Sequence, residues 1–123
     1  MKPGLLALVV GLGVAGWAQG QSYMVIQGAP LEFMTQDDLR IYQDALNRAL
    51  EKSKDGATTR WENPETRAGG TINPVRSFSR DGAQCRELQL DNQARGRREK
   101  GRYAFCKDPQ GEWKFTPGAG DRK

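Results

Sequence analysis

The sequence predicts an α+β fold in which one N-terminal amphipathic helix packs on a small antiparallel sheet of about four to five strands. Three observations lead to this prediction. Apolar residues recur with a helical period over residues 36–53, and a period of two, interrupted by turn signals, follows that segment. The only two cysteines, Cys85 and Cys106, lie symmetrically about the turn-like pair Arg95-Gly96. That symmetry predicts a disulfide between two strands of a hairpin.

Residues 1–20 have the pattern of a cleavable signal peptide. Lys2 gives a positive start, the segment 5–17 is apolar and uncharged, and small residues follow it. A run of roughly 13 apolar residues is too short to span a bilayer. Cleavage after Ala18 and after Gly20 are both compatible with the pattern. No cysteine lies near either site, so we expect an exported protein without lipid attachment.

Export makes the cysteine pair informative, because disulfides persist in oxidising compartments. A bridge between Cys85 and Cys106 would close a loop that contributes about 3 kcal/mol by chain entropy. Two free buried thiols are the alternative interpretation.

The net charge of +4 is mildly basic. This charge is compatible with attraction to anionic envelope polymers but too small to indicate nucleic-acid binding. No other apolar run has membrane length, so no transmembrane span is expected after signal cleavage.

The mature chain divides into an arm over residues 21–34, a domain over residues 35–115 and a flexible tail over residues 116–123. The arm begins with an apolar run at 23–26 and then meets Gly28 and Pro30, so a short strand and a mobile arm both remain open. The tail contains mainly glycine, proline and charged residues, which is typical of a frayed terminus.

The predicted helix begins after Thr35, a good N-cap, and Asp38 completes a capping box three positions later. Met34 and Leu39 occupy the positions of a hydrophobic staple. Gly56 supplies the stop. The apolar stripe, which we expect to face the core, comprises Leu39, Tyr42, Leu46, Ala49 and Leu50.

Five strands are predicted, at 58–62, 71–79, 84–90, 100–106 and 112–115. Turn signals separate them at Asn63-Pro64, Gly69-Gly70, Asp81-Gly82 and Asp108–Gly111. Pro74 cannot donate to a ladder, so its strand is expected to be bulged or at an edge there. Simple alternation would place Ile72, Pro74, Arg76 and Phe78 on one face.

The cysteine pair also predicts the register of the hairpin. With Arg95-Gly96 as the loop, Cys85 lies opposite Cys106 and Leu88 lies opposite Tyr103. One face is then apolar and should meet the helix, and the disulfide lies on the other, more polar face. The residues of the apolar face include Leu88, Leu90, Tyr103 and Phe105, together with Arg86.

The sequence offers few candidates for a catalytic site. It contains no histidine, the commonest general base and metal ligand. Bridged cysteines would leave no thiol nucleophile, and the mature chain has no phosphate-binding glycine motif. We therefore expect a protein that is not an enzyme and that needs no cofactor and no metal.

The hairpin tip is basic. The functional interpretation is a clamp for phosphate or carboxylate groups, and the alternative is a solvated tip that discourages aggregation between sheet edges. The candidate anion-binding residues are Arg95, Arg97, Arg98, Lys100 and Arg102, against one acid, Glu99.

Arg76 is a candidate half-buried arginine that needs a carboxylate, and the candidate structural ion pair is Arg76 with Glu87. Glu62 would also serve as its partner. The aromatic residues Trp61, Trp113 and Tyr103 are expected in the core rather than as a ligand platform.

Five short motifs, occurring in order, resemble the C-terminal domain of the bacterial 17 kDa surface-antigen proteins of rickettsiae and other proteobacteria. The resemblance covers about residues 35–115. It implies a Gram-negative envelope location and a helix followed by a small antiparallel sheet. Cys85 and Cys106 match the cysteine pair of that family, and the family offers no catalytic residue to transfer. The motifs lie at 61–64, 74–78, 85–88, 103–106 and 108–113.

Members of this family often carry a lipidated N-terminal cysteine and a glycine-zipper segment, and neither is expected here. These two departures favour a non-lipidated protein of the periplasm, or one associated with the outer membrane, and we expect a structural or protein-interaction role. The alternative is a binding module for an anionic envelope polymer, or an inhibitor of an envelope hydrolase, acting through the tip at 95–102. The expected partner is another envelope protein or such a polymer.

Overall fold

A computed structural model describes residues 29–120 of the chain. The predicted signal peptide, the predicted apolar run at 23–26 and the last three residues lie outside the described residues, so these predictions stay open.

The structure contains one long helix and a five-stranded antiparallel sheet whose strands follow each other in sequence order. This agrees with the predicted fold class. A short helix of four residues precedes the long one, within the predicted arm. The elements are α1 (Ala29–Glu32), α2 (Gln36–Lys52), β1 (Thr59–Glu62), β2 (Gly69–Arg80), β3 (Ala83–Ala94), β4 (Arg97–Lys107) and β5 (Trp113–Phe115).

Helix α2 begins with the predicted capping box. The Thr35 hydroxyl accepts from the Asp38 amide at 3.0 Å, and the Asp38 carboxylate accepts from the Thr35 amide at 2.9 Å. These bonds satisfy two amides that the first turn would leave unpaired. The predicted stripe faces the core except that Leu39 is only half-buried, and Ala45 joins it. The buried residues of the stripe are Tyr42, Ala45, Leu46, Ala49 and Leu50.

The sheet supplies the other half of the core from its helix-facing side. Tyr42 stacks on Trp61 with ring centroids 5.3 Å apart. Full burial of a large apolar side chain stabilises the fold by about 1.5–3 kcal/mol, so this layer dominates the stability of the domain. Its main members on the sheet are Ile72, Leu88, Leu90 and Phe105.

The hairpin register is confirmed, with Cys85 opposite Cys106 and Ala94 opposite Arg97. Arg95 and Gly96 form the two-residue loop, and both have positive φ, at 49° and 75°. Cys85 and Cys106 form the predicted disulfide. Both strands extend beyond the predicted bounds to the loop, because ladder bonds continue through polar residues that carry no apolar alternation.

The predicted break at Gly69-Gly70 is wrong, because both glycines are paired within β2. A Cβ on Gly69 would lie 2.8 Å from the carbonyl oxygen of Trp61, and a Cβ on Gly70 would collide with the carbonyl oxygen of Asp91. These glycines therefore permit close approach of neighbouring strands rather than a turn.

Pro74 lies at a bulge, as predicted, and the register shifts between Pro74 and Arg76. The expectation that Ile72, Pro74, Arg76 and Phe78 share a face is wrong. Ile72 and Pro74 lie opposite Leu90 and Leu88, on the helix-facing side, whereas Arg76 and Phe78 lie opposite Glu87 and Cys85. The extra residue of the bulge reverses the alternation beyond it.

The first part of the predicted flexible tail makes contacts with the sheet. The Thr116 amide donates to the carbonyl oxygen of Ala104 at 2.8 Å, Ala119 is buried, and the Gly120 carbonyl accepts from Arg76 at 2.6 Å. Residues 116–120 thus lie over the sheet face opposite α2.

Candidate functional site

The sheet has one face turned away from α2, here called the outer face. It is defined by alternate residues of β3 and β4: 85, 87, 89, 91 and 93 on β3, and 98, 100, 102, 104 and 106 on β4. Three of the five predicted anion-binding cations, Arg98, Lys100 and Arg102, lie on it. The outer face is therefore the candidate functional surface of this domain.

Arg98 is engaged by an acid of the neighbouring strand. Its Nε and a terminal nitrogen donate to the two carboxylate oxygens of Asp91, at 2.9 and 2.6 Å. The hydrogen bond from Arg98, together with the charges of Arg98 and Lys100, outweighs burial and lowers the pKa of Asp91. Lys100 lies directly opposite Asp91 but makes no ion pair with any residue of the described range.

Glu87 lies between two cations. Its carboxylate accepts from Arg76 Nε at 2.8 Å, which places the candidate ion pair of Arg76 and Glu87 in contact, and a second oxygen lies 3.9 Å from Arg102. Arg76 also lies over the Phe78 ring, at 4.4 Å from its centroid. The bulge at Pro74 is what turns Arg76 toward this acid.

The remaining two tip cations lie elsewhere. Arg97 lies on the helix-facing side with its guanidinium over the Phe33 ring, 4.9 Å from the centroid. Arg95 is an exposed loop residue without an ion pair in the part of the chain that the structure describes. The structure thus distributes the five cations over two faces and a loop rather than gathering them into one clamp.

Two buried polar clusters were not predicted. The first surrounds Asp38, whose carboxylate accepts from Asn63 Nδ2 at 2.7 Å and from the Thr66 hydroxyl at 2.6 Å. Burial opposes ionisation of this carboxyl, but the hydrogen bonds from Thr66, Thr35 and Asn63 outweigh burial and lower its pKa. The capping box was readable from the sequence, whereas the loop that completes this cluster lies 25 residues away.

The second cluster is centred on Arg86, which lies beneath the C-terminus of α2. One terminal nitrogen donates to the carbonyl oxygens of Ala49 and Leu50, at 2.8 and 3.0 Å, and the other donates to Asp55 at 2.7 Å. Arg86 therefore satisfies helix-end carbonyls with a positive charge. The sequence did contain one sign of this cluster, because Arg86 occupies a position on the face of β3 that otherwise carries apolar residues.

Trp61 and Trp113 belong to the core, as expected. The Trp61 indole donates to Asn92 at 2.9 Å, and the Trp113 indole donates to Glu51 at 2.8 Å. Burial raises the pKa of Tyr42 to about 12. Tyr103 is only partly buried, and its hydroxyl lies 3.2 Å from Glu99.

Residues 29–120 contain no group of three or more side chains arranged to hold a metal ion. Within the same range, none of the helices combines the length and the apolarity that crossing a membrane would need. Among the same residues, the buried charged side chains of Asp38 and Arg86 are both hydrogen-bonded within the fold.

A family model described as "17 kDa outer membrane surface antigen" matches residues 48–114. The match runs from the last turn of α2 into β5 and contains both cysteines. The chain belongs to this family.

Among curated relatives, the 17 kDa surface antigens of Rickettsia bellii and Rickettsia conorii are each 28% identical over 84 residues, which is 68% of this chain and 53% of theirs. That of Rickettsia prowazekii is 27% identical over 82 residues. The surface-antigen homologue described here spans about half the length of the curated relatives it matches. No solved structure matches the chain.

Proposed function

We propose that this surface-antigen homologue is an exported, non-enzymatic protein of the bacterial envelope with a structural or protein-interaction role. The observation that carries the proposal is the family match over residues 48–114, because the family is described by an outer-membrane location. The proposal places the protein in the periplasm or at the outer membrane, without lipid attachment.

The disulfide supports the compartment. Cys85 and Cys106 are bridged, and no free cysteine is found in residues 29–120. Such bridges are stable in the periplasm and rare in the cytosol. In the reducing cytosol, the same two cysteines would be kept as thiols and would not stabilise the fold by a bridge.

The use of the buried ionisable groups supports a non-enzymatic role. Asp38 is bonded to a helix cap and a loop, and Arg86 is bonded to helix carbonyls. Arg76 and Glu87 are bonded to each other. Groups held in this way use their hydrogen-bonding capacity within the fold and stabilise it.

Cross-linking in native envelopes tests the proposal. The tagged protein is expressed in its own host, cells are fractionated, and lysine-reactive cross-links are identified by mass spectrometry. We expect the protein in the periplasmic or outer-membrane fraction, with envelope proteins cross-linked to it and an N-terminus beginning after residue 18 or 20. Recovery in the cytosol, with an intact N-terminus and free thiols, would overturn the proposal.

A second candidate role is binding of an anionic envelope polymer through the hairpin tip. It is favoured by Arg95 and Lys100, the two tip cations that make neither an ion pair nor a contact with an aromatic ring within residues 29–120. Retention on peptidoglycan or lipopolysaccharide should then weaken as salt is raised. The double variant R95Q/K100Q should lose retention, whereas R60Q/R80Q, with the same change in net charge, should keep it.

A further inference from the structure

The sheet leaves one long strand edge open. Strand β4 pairs with β3 over Arg97–Cys106, but β5 covers β4 only from Phe105 to Lys107. The bond from Thr116 to the carbonyl of Ala104 extends this cover by one position. Within residues 29–120, no other backbone pairs with the outward side of β4 between Arg97 and Tyr103.

The direction of the backbone groups along this edge follows from the register. Ala94 and Arg97 flank a two-residue loop, so they exchange their hydrogen bonds with each other. Alternation then directs the amides and carbonyls of the even-numbered residues outward. The carbonyl of Ala104, which accepts from Thr116, shows this direction. The open groups are those of Arg98, Lys100 and Arg102.

The two sides of the open edge differ in chemistry. The same three residues place their side chains on the outer face, so each open backbone group has a cation beside it. On the helix-facing side lie Phe33 and Tyr103, which are partly buried against the core, with Arg97 over the Phe33 ring and Glu99 at the Tyr103 hydroxyl. A strand laid along this edge would therefore meet three cations on one side and, on the other, two aromatic rings with one cation and one acid.

We propose that the open edge of β4 binds an extended segment of a partner protein as a sixth strand, and that this segment alternates acidic with apolar residues. Strand addition uses backbone bonds for affinity and alternate side chains for specificity. About seven residues of partner match the open stretch at roughly 3.3 Å per residue. This proposal rests on the proposed interaction role and names the surface and the partner chemistry for it.

A second copy of this chain is a poor occupant of the edge. Two such edges would bring three cations of each copy together, and charged edges are a common device against self-pairing. An anionic polymer would be attracted by the same charges but has no ladder of amides to pair with the backbone. The alternating acidic strand is the occupant that uses the charges, the rings and the backbone groups together.

The probe is a peptide that alternates glutamate with valine over about seven residues, with two N-methylated forms. One form is methylated at odd positions and the other at even positions, so charge is unchanged and amides are removed from one side only. We expect the parent peptide and one methylated form to bind, and the other form to bind at least about tenfold more weakly. No binding, or equal binding of all three peptides, would overturn the proposal.

Amide hydrogen exchange supplies the residue-level test. In the free protein, the amides of Arg98, Lys100 and Arg102 should exchange quickly, and those of Arg97, Glu99 and Gly101 should be protected by β3. The parent peptide should protect the first set only. Binding without such protection would mean contact through side chains alone and would contradict strand addition.

Two substitutions at Lys100 distinguish the contribution of its side-chain charge to peptide binding from that of its backbone amide. K100Q removes the charge and keeps the outward amide, whereas K100P removes both and leaves the bonds to β3 in place. K100P should bind the peptide more weakly than K100Q, with native folding checked by the amide spectrum. Cross-linked envelope partners that persist while the peptides fail to bind would overturn this inference and leave the proposed function standing.

Discussion

At the scale of single residues, Asp38 joins two parts of the chain that are far apart in sequence. Its carboxylate closes the capping box of α2 and also accepts hydrogen bonds from the loop that follows β1. Such bonds favour the ionised carboxylate in the folded protein. The folded-state pKa of Asp38 therefore lies below the ordinary value of 3.8.

The first prediction concerns the pH dependence given by Asp38. A carboxyl with a lowered folded-state pKa stabilises the fold above its unfolded pKa, and this stability is lost as the pH falls through the folded pKa. Stability should thus decline below about pH 4, with contributions also from Asp55 and Asp91, whose pKa values are lowered too. The measurement is the free energy of unfolding in urea between about pH 2.5 and 7.

The variant D38N should lose about 1–3 kcal/mol at neutral pH and should show a shallower decline in acid. D44N is the matched control, since Asp44 is an exposed acid of the same helix. An acid profile of D38N that parallels the wild type would contradict this account.

The second prediction concerns Arg86. Its guanidinium bonds to two helix carbonyls, to Ser77 and to Asp55, and a lysine ammonium has neither the shape nor the number of donors to replace it. R86K should therefore cost about 2–3 kcal/mol in unfolding free energy at neutral pH, although the charge is retained. The control is R80K, at an exposed arginine of β2. Equal stability of the two variants would show that charge alone matters at Arg86.

At the scale of elements, the hairpin and the helix were predictable because each has a local signal. Thr35 and Asp38 predict the start of α2, and the two cysteines, placed symmetrically about Arg95-Gly96, predict both the loop and the register of the hairpin. The glycines at 69 and 70 misled, because a glycine required by a neighbouring strand looks the same in sequence as a glycine required by a turn. The paired backbones of Trp61, beside Gly69, and of Asp91, beside Gly70, distinguish them.

The bulge shows a second limit of sequence reasoning. Pro74 predicted a bulge or an edge, but simple alternation was carried past it, so the faces of Arg76 and Phe78 were reversed. For the same reason the hairpin cations could be named from sequence but not sorted between two faces and a loop. Assigning each cation to a face required the observed pairing of β3 with β4.

The third prediction concerns the disulfide. The bridge joins residues 21 positions apart in sequence, which corresponds to about 3 kcal/mol by the chain-entropy estimate. The variant C85A/C106A should fold and lose about this amount in urea unfolding. The loss should be smaller if the reduced hairpin retains structure.

Alkylation checks the state of the same cysteines. The purified exported protein should take up no alkylating reagent before reduction and two equivalents after reduction under denaturing conditions. The single variant C85A is the positive control, because it leaves Cys106 as a free thiol. Labelling of the unreduced wild type would contradict the bridge.

At the scale of the whole molecule, the domain has a covered face and an open face. Helices α1 and α2 cover one side of the sheet, with α1 against β3 and β4, and residues 116–120 cover only the part of the outer face near Arg76 and Ala104. The cations and the open edge of β4 lie beyond that cover. The surface available to partners is thus at the hairpin end of the sheet.

The fourth prediction concerns the C-terminal segment. Removing residues 117–123 would take away the buried Ala119 and the carbonyl of Gly120 that accepts from Arg76. This truncation should destabilise the domain by about 1–2 kcal/mol. The variant that lacks only residues 121–123 is the reference, so that the difference in thermal midpoint isolates residues 117–120. Equal midpoints would mean that the segment contributes nothing to the fold.

Helix α2 is bonded to the sheet and its loops at both ends, by Asn63 and Thr66 at its start and by Arg86 at its finish. Each added residue would move one end by about 1.5 Å and rotate it by about 100° relative to the other. A single insertion inside α2 would therefore break one of the two attachments, whichever end remained in place. The two attachments therefore fix the residue count of α2 between them, and a single insertion there should be far less tolerated than a substitution on its exposed face.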